Sequence, residues 1–463
     1  MALSRLYYTA YLIYNILSQA RYPFKPLTII KRDQARRVRH IVGYAYRYVP
    51  YYHETMKRLG LTPADFTSAD DLARLPLLER SQIQHNPEYF ISTKQPIDKY
   101  FQFKTGGSTG IPLPVYYDKK ALYMSAILGE RERSIIYDTI GKRFGYRETF
   151  IASKHATATY VRAACQEHAW FPPQVKIERQ CLSVFDPPEK NIPLINEFKP
   201  DLIHCYGSYL EMIIAYLKYH HVPFHKPKII TYSSDGMSPE GRDIYLNQLH
   251  IPIISVYQSI EAFKIGFECE QHRGLHLNID VFPVRIVKED GSPVPPGETG
   301  ELVISNLHNH GMVLLNYRLG DIASLLLEKC SCGRQLPLLS FPPGRLDDFV
   351  VLPSGSIIHP QALRTMFTRI DGLWQYQVIQ ETPALFTIKA VVSDVSDRNH
   401  IISEIKQKFY SRFGDEVKIS IQFVNGINLT ESGKHRIIVS RVKHDQLFGN
   451  TLRESHNSSL DTN

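Results

Sequence analysis

The apolar positions of this chain change their spacing twice. Over residues 1–95 they recur three and four apart, as in residues 34–45 and 51–59, the spacing that lays one face of a helix on a core. Residues 67–71 offer hydroxyl and carboxylate side chains suited to capping such helices. From about residue 100 to 325, short β-branched or apolar runs alternate with helical stretches. Asp201-Leu202-Ile203-His204-Cys205-Tyr206 precedes a helix expected over 209–220, and Lys228-Ile229-Ile230-Thr231-Tyr232 precedes one over 239–249. Strand, turn, helix, strand predicts a layered α/β sheet. A turn-rich connector, Gly291-Ser292-Pro293-Val294-Pro295-Pro296-Gly297, leads to a strand over 300–305. After Pro342-Pro343-Gly344 the pattern changes again, with strands over 378–392 and 417–424 around a helix over 396–412. The expected organisation is a large unit over 1–343 with a helical lead-in over 1–95, a small α+β unit over 344–445, and a polar, loose tail over 446–463. No internal repeat is visible.

At 463 residues the chain exceeds the usual size of a single domain, which agrees with two units. Hydrophobic content of 43% and charged content of 22% suit a globular protein rather than a disordered one. The net charge of +8 favours anionic ligands, but no stripe of cations interleaved with aromatics points to nucleic acid. Six cysteines at 165, 181, 205, 269, 330 and 332 are too unevenly placed for a disulfide scaffold. Residues 6–17 are apolar and tyrosine-rich, yet shorter than a bilayer span and interrupted by Thr9 and Asn15. The basic run behind them, Arg21, Lys25, Lys31, Arg32, Arg36, Arg37 and Arg39, leaves two readings open: a peripheral membrane contact, or a helix packed on the main domain. A cytoplasmic protein is expected.

The densest chemistry lies in Thr105-Gly106-Gly107-Ser108-Thr109-Gly110-Ile111-Pro112, after a strand expected over 100–104. Glycines let main-chain N–H groups turn toward an anion, and the hydroxyls add uncharged donors. A flexible surface turn would look the same in isolation. A Walker loop would need lysine after Gly110, where Ile111 stands, so a P-loop NTPase is excluded. Two further segments are expected beyond strand ends, where open α/β sheets gather ligands: Ser233-Ser234-Asp235-Gly236 and Tyr257-Gln258-Ser259-Ile260-Glu261. Tyr317-Arg318-Leu319-Gly320-Asp321, Gly344-Arg345-Leu346-Asp347-Asp348 and Ser432-Gly433-Lys434-His435-Arg436 follow in order.

This ordered set resembles the adenylate-forming acyl-activating superfamily, and within it the phenylacetate–CoA ligase-like branch that includes CapK-type proteins. The resemblance covers about residues 41–442. It implies a large ATP- and acid-binding domain with a small mobile C-terminal lid. By that likeness Thr105 to Gly110 cradle phosphate, and Glu261 holds Mg²⁺ against it. Tyr257 stacks on adenine, and Ser234, Asp235 and Gly236 line the base. Asp321 accepts the ribose hydroxyls, and Arg345 contacts ribose or phosphate. Asp347 is the hinge, and Lys434 is the catalytic lysine approaching the carboxylate and the α-phosphate. Each has an ordinary alternative, from a core tyrosine to a solvated acid or a surface lysine. Cys269, Cys330 and Cys332, with His276 preferred over His272, resemble a closed structural Zn²⁺ site; on spacing alone they serve equally well as buried small residues.

The implied function is ATP-dependent activation of a carboxylic acid through an acyl-adenylate, followed by thioester formation with CoA. ATP, Mg²⁺, structural Zn²⁺ and CoA as co-substrate belong to that reading, and a second copy of the chain is a further candidate partner. Gly355, in Ser354-Gly355-Ser356, sits where relatives have a glycine-bearing loop near the thiol path. Two departures stand out: Ile111 where many members have lysine, and Gln258 where glycine is commoner, which points away from a simple aryl acid toward a small or polar one. An adenylate-forming enzyme of capsule or secondary-metabolite synthesis would instead pass the activated group to an amine, hydroxyl or carrier protein. A silent nucleotide-binding partner would not need Lys434.

Overall fold

The fold is described from a computed structural model covering residues 2–105, 113–153, 156–168, 177–341, 349–358, 360–367, 370–392, 397–430 and 433–442. The lead-in is helical, as its spacing predicts. Helix Leu27–Tyr48 buries Ile30, Gln34, Val38, Ile41, Val42 and Ala45, three and four apart. Pro50, at the first position of helix Pro50–Arg58, separates the two without loss of a hydrogen bond. Asp71 caps the turn at 70–74 by accepting from the Thr67 and Ser68 backbone N–H groups at 2.9 and 2.8 Å. The lead-in is fastened to the rest of the chain through the Tyr52 hydroxyl, which donates to Val313 O at 3.1 Å and accepts from Leu315 N at 2.8 Å.

Strands β1 (Phe101–Lys104) and β2 (Pro114–Tyr117) pair antiparallel. They form a hairpin of their own rather than part of the main sheet, so the glycine-rich segment joins two hairpin strands instead of following a strand of the central sheet. The central sheet takes β3 (Arg147–Ala152), β4 (Glu178–Ser183), β5 (Leu202–Tyr206), β6 (Ile229–Ser233), β7 (Ile253–Ser259), β8 (Phe263–Glu268) and β9 (Leu275–Leu277). Beside it, β10 (Val284–Val287), β11 (Thr299–Ile304) and β12 (Tyr317–Ser324) make a three-stranded antiparallel sheet, and β13 (Leu338–Leu339) returns to the central edge. The eight-stranded order is β13-β9-β8-β7-β6-β5-β3-β4. Neighbours from β4 to β7 run parallel, and those from β7 to β13 antiparallel.

Side chains alternate between two cores, as a sheet covered on both faces requires. Leu202, Ile229 and Ile254 join the cluster that contains helix Lys119–Ile140, and Ile203, Ile230 and Ile253 join the one under helix Gly207–His220. The helix expected over 239–249 is split into an α turn, Pro239–Asp243, and a π turn, Ile244–Gln248.

The small C-terminal domain has its own core, including Val378, Phe386, Ile388, Ile401, Ile405 and Phe409. It holds the hairpin β14 (Val350–Val351) and β15 (Ile357–Ile358), then β16 (Leu373–Thr382), β17 (Leu385–Val392), helix Arg398–Phe413, β18 (Lys418–Phe423) and β19 (Ile438–Ser440), ordered β18-β17-β16-β19. The block expected over 378–392 is thus a hairpin that begins earlier, at Leu373. It meets the large domain on helix Gly207–His220. Trp374 lies 5.3 Å from the Tyr219 ring, Gln375 Nε2 3.5 Å from Met212 Sδ, and Lys218 Nζ 2.7 Å from Asp371 Oδ1. The proposed boundary at 343 and the tail over 446–463 lie outside the described residues.

Candidate functional site

Parallel strands leave their carboxyl ends at one edge of the sheet, so the segments after β5, β6 and β7 meet there. After β5, Gly207 lies against the turn after β6 so closely that a Cβ would come within 2.7 Å of Gly236 O; glycine is required for that approach. Asp235 spans the same gap, accepting from Ser208 N at 3.1 Å and from Ser208 Oγ at 2.5 Å, and thereby caps helix Gly207–His220. Ser234 has φ +78, a left-handed conformation that turns the chain away from the strand. The side chain of Asp235 is thus committed to the scaffold, and the main chain of 234–236 is what the turn presents.

On β7 the ladder shifts register between Tyr257 and Gln258, a bulge that re-aims both side chains. Gln258 Nε2 donates to Ser233 Oγ at 2.9 Å. The Tyr257 hydroxyl donates to Asp321 Oδ2 at 2.5 Å, which joins β7 to β12 across two sheets. Gly320, with φ +81 in mid-strand, precedes Asp321. Arg318 faces elsewhere, paired with Glu301 and with Glu79 Oε1 at 2.9 Å.

Glu261, 6% exposed, follows the end of β7. Its backbone O accepts from Asn306 Nδ2 at 3.0 Å, and Oε1 lies 3.4 Å from the Tyr317 hydroxyl and 3.5 Å from Arg80 Nη1. Arg80 also donates from Nη2 to Thr105 Oγ1 at 2.5 Å. Thr105 closes the base of the glycine-rich segment, since its N–H donates to Leu113 O and its Oγ1 accepts from Leu113 N, both at 3.0 Å. Arg80 therefore joins the Glu261 carboxylate to the base of that segment. Sequence reasoning missed it: a lone arginine 25 residues before the loop carries no local signal.

From the small domain, the turn before β19 reaches the large one. Thr430 N donates to Lys434 O at 2.9 Å and Gly433 N to Thr430 O at 2.8 Å, forming a tight loop with Gly433 at φ +81. A Cβ on Gly433 would lie 2.4 Å from Val184 Cγ1, and 3.5 Å from both Phe185 and Tyr206. The Lys434 loop thus rests on the carboxyl ends of β4 and β5, beside the turn of Asp235 and Gly236. Gly106, Gly107, Ser108, Thr109, Gly110, Arg345 and Asp347 lie outside the described residues. Gly355 has φ +80 in the β14–β15 turn, with open space around it.

Away from these strand ends, the donor atoms of Cys269, His276, Cys330 and Cys332 all lie within 4.8 Å of one another. Cys269 Sγ is 3.5 Å from Cys330 Sγ, and Cys332 Sγ 3.3 Å from His276 Nε2. Bonds of about 2.3 Å to sulfur and 2.0 Å to nitrogen give tetrahedral edges near these lengths, so the set fits a four-coordinate ion. His276 Nδ1–H donates to Leu336 O at 3.3 Å, which aims the Nε2 lone pair at the thiols. Burial lowers the ring's pKa to about 4, so it is neutral at pH 7. His272 is taken up by Glu268, 2.6 Å from its Nδ1. Backbone N–H groups of Gln271 and Arg334 point to Cys269 and Cys332 sulfurs at 3.5 Å.

Comparison with known proteins adds to this geometry. Residues 350–441 match the CapK C-terminal domain family. The chain is 23% identical over 401 residues to a phenylacetate-coenzyme A ligase of Thermus thermophilus, covering 85% of each chain. It is 22% identical over 425 residues to Protein CapK of Staphylococcus aureus, covering 89% of each. The fold is shared with a 2-hydroxyisobutyryl-CoA ligase crystallised in a postadenylation state with its acyl-AMP, at TM-score 0.70 and 16% identity over 88% of each chain.

Proposed function

The chain belongs to the phenylacetate–CoA ligase-like and CapK branch of the adenylate-forming superfamily, and on that premise we propose that it activates a carboxylic acid with ATP and passes the acyl group to CoA. In the first half-reaction a carboxylate oxygen attacks the α-phosphorus, the bond to the β-phosphate oxygen breaks, and pyrophosphate leaves with the electron pair. In the second, a thiol sulfur attacks the acyl carbon and AMP leaves.

The observation that carries this reading is the contact of the Lys434 loop with the ends of β4 and β5, beside the segments of Asp235, Gly236, Tyr257 and Asp321. Lys434 would offset the charge that builds between carboxylate and α-phosphate. Tyr257 would stack on adenine, Ser234 to Gly236 would line its edge, and Asp321 would turn from the Tyr257 hydroxyl to the ribose. Glu261, with its carboxylate already faced by a cation, would hold Mg²⁺, whose charge neutralises phosphate. Arg80 would then release Glu261 and take a phosphate oxygen, filling the part of the lysine that Ile111 replaces. Thr105 and the residues 106–110 would cradle the phosphates, and Arg345 and Asp347 would serve as ribose contact and hinge. Cys269, His276, Cys330 and Cys332 would hold a structural Zn²⁺. The partly polar contact on helix Gly207–His220 suits a domain that turns between the two half-reactions.

A second reading keeps the adenylate and passes the acyl group to an amine, a hydroxyl or a carrier-protein thiol instead of CoA. Carboxylate-dependent exchange of pyrophosphate into ATP across a panel of acids tests activation without any acceptor. Lys434→Ala is expected to lower exchange about 10²- to 10³-fold. Tight MgATP binding with no exchange for any acid would instead indicate a silent nucleotide-binding protein. Adding CoA, an amine or a carrier protein to the best acid then identifies the acceptor.

A further inference from the structure

We propose that the N-terminal helix and the basic helix beside it dock this protein on the surface of an anionic lipid bilayer. Helix Ala2–Gln19 carries apolar residues on two sides. One side is used: Leu12 is buried, and Tyr8, Tyr11 and Ile16 pack on the main core. The other is not. Leu6, Tyr7, Ile13 and Tyr14 are 68%, 52%, 53% and 81% exposed, and with Ala10 they fall at spacings of one, four, seven and eight, a single stripe along the helix.

Charge decides the occupant. Residues 1–40 hold eight of the 54 lysines and arginines but one of the 46 acids, Asp33, so nearly all of the net charge of +8 comes from this segment. Arg21, Lys31, Arg32, Arg36 and Arg39 are exposed, and so is Phe24, at 46%. Both helices reach the same buried ion pair: Arg131 binds Asp280 at 2.7 Å and donates to Gln19 Oε1 at 2.9 Å, while Arg37 lies 3.9 Å from Asp280. Lys119 adds a further cation beside this helix, its Nζ 4.7 Å over the Tyr8 ring. A second copy on this stripe would bring two strongly cationic segments together, whereas an anionic bilayer pairs with the charge and takes the apolar side chains. Tyrosines suit that depth, with ring in the acyl boundary and hydroxyl among headgroups. No described helix is long and apolar enough to cross a membrane, so the helix lies on the surface rather than spanning it.

Flotation of the full chain with vesicles of 70% phosphatidylcholine and 30% phosphatidylserine, against pure phosphatidylcholine, is the test. The chain is expected to float at least tenfold better with the anionic vesicles and to be released by 0.5 M salt. The double variant Ile13→Ser, Tyr14→Ser removes exposed side chains only, so it should keep its thermal midpoint and pyrophosphate exchange while losing about tenfold in binding. Arg32→Gln with Arg36→Gln should lose about fivefold for each charge removed. No flotation with either vesicle overturns the proposal, as does flotation unchanged in the double variant. A dimer seen by light scattering and abolished in that variant would assign the stripe to a second copy instead.

Discussion

Arg80 is the residue whose two contacts explain most about the site. A buried carboxylate needs a cation beside it, and Arg80 supplies one at 3.5 Å from Glu261 Oε1; on the function proposed above, that guanidinium would pass to a phosphate oxygen once Mg²⁺ took its place. A guanidinium also presents several donors in one plane, enough to serve Thr105 and a phosphate together. Charge-assisted bonds of this kind contribute about 1.5–3 kcal/mol each. Arg80→Gln is therefore expected to lower kcat/KM for MgATP about 10- to 100-fold, chiefly by raising KM. Arg80→Lys should recover part of the loss through its charge. Unchanged MgATP kinetics with a lowered thermal midpoint would make Arg80 a brace and nothing more. Nothing in residues 78–82 marks this arginine, because its partners lie 25 and 181 positions away.

Among the elements, the loop of Thr430, Gly433 and Lys434 is the most tightly determined by shape. Gly433 has φ +81 and stands where a Cβ would lie 2.4 Å from Val184 Cγ1, on a short, buried side chain. Gly433→Ala is expected to cost about 1 kcal/mol for the left-handed backbone and, through the clash, to lift Lys434 from the strand ends. Pyrophosphate exchange should fall at least tenfold, and adding Val184→Ala should restore part of it by making space. Gly355→Ala, also at positive φ but in open space, should cost a similar strain and leave exchange unchanged. The contrast separates loss of docking from loss of flexibility. Here the sequence was legible in kind: the helix, the strand spacing and the Ser-Gly-Lys order are local, while the surface on which the loop lands is contributed by residues near 184 and 206.

At the scale of the whole molecule, the Cys and His cluster ties the antiparallel edge of the central sheet to the knuckle at 330–334. Arg334 continues that tie toward the lead-in, stacking 4.9 Å from the Phe24 ring and binding Glu270 at 2.9 Å. If the cluster holds zinc, purified protein should carry about one equivalent per chain by elemental analysis. Cys332→Ser should lose that metal and lower the thermal midpoint, with exchange retained at low temperature because the cluster lies away from Lys434 and Glu261. Metal-free wild type with an unchanged midpoint would leave the four residues as packing.

By itself the sequence determined the order of the units and their character, since periodicity and turn residues act within a few positions. It also displayed the motifs in their order and singled out Cys269, His276, Cys330 and Cys332, because those are residue types in a fixed order; that the four converge in space only the fold decided. Tertiary structure alone decided that the strands flanking the glycine-rich segment, Phe101–Lys104 and Pro114–Tyr117, pair as a separate hairpin, that Tyr257 and Asp321 share a hydrogen bond, that Asp235 caps a helix, and which side of the N-terminal helix is left uncovered. Each of those outcomes depends on surfaces brought together over tens to hundreds of residues. Such contacts are selected by packing and by the satisfaction of buried polar groups, quantities that no local stretch of sequence contains.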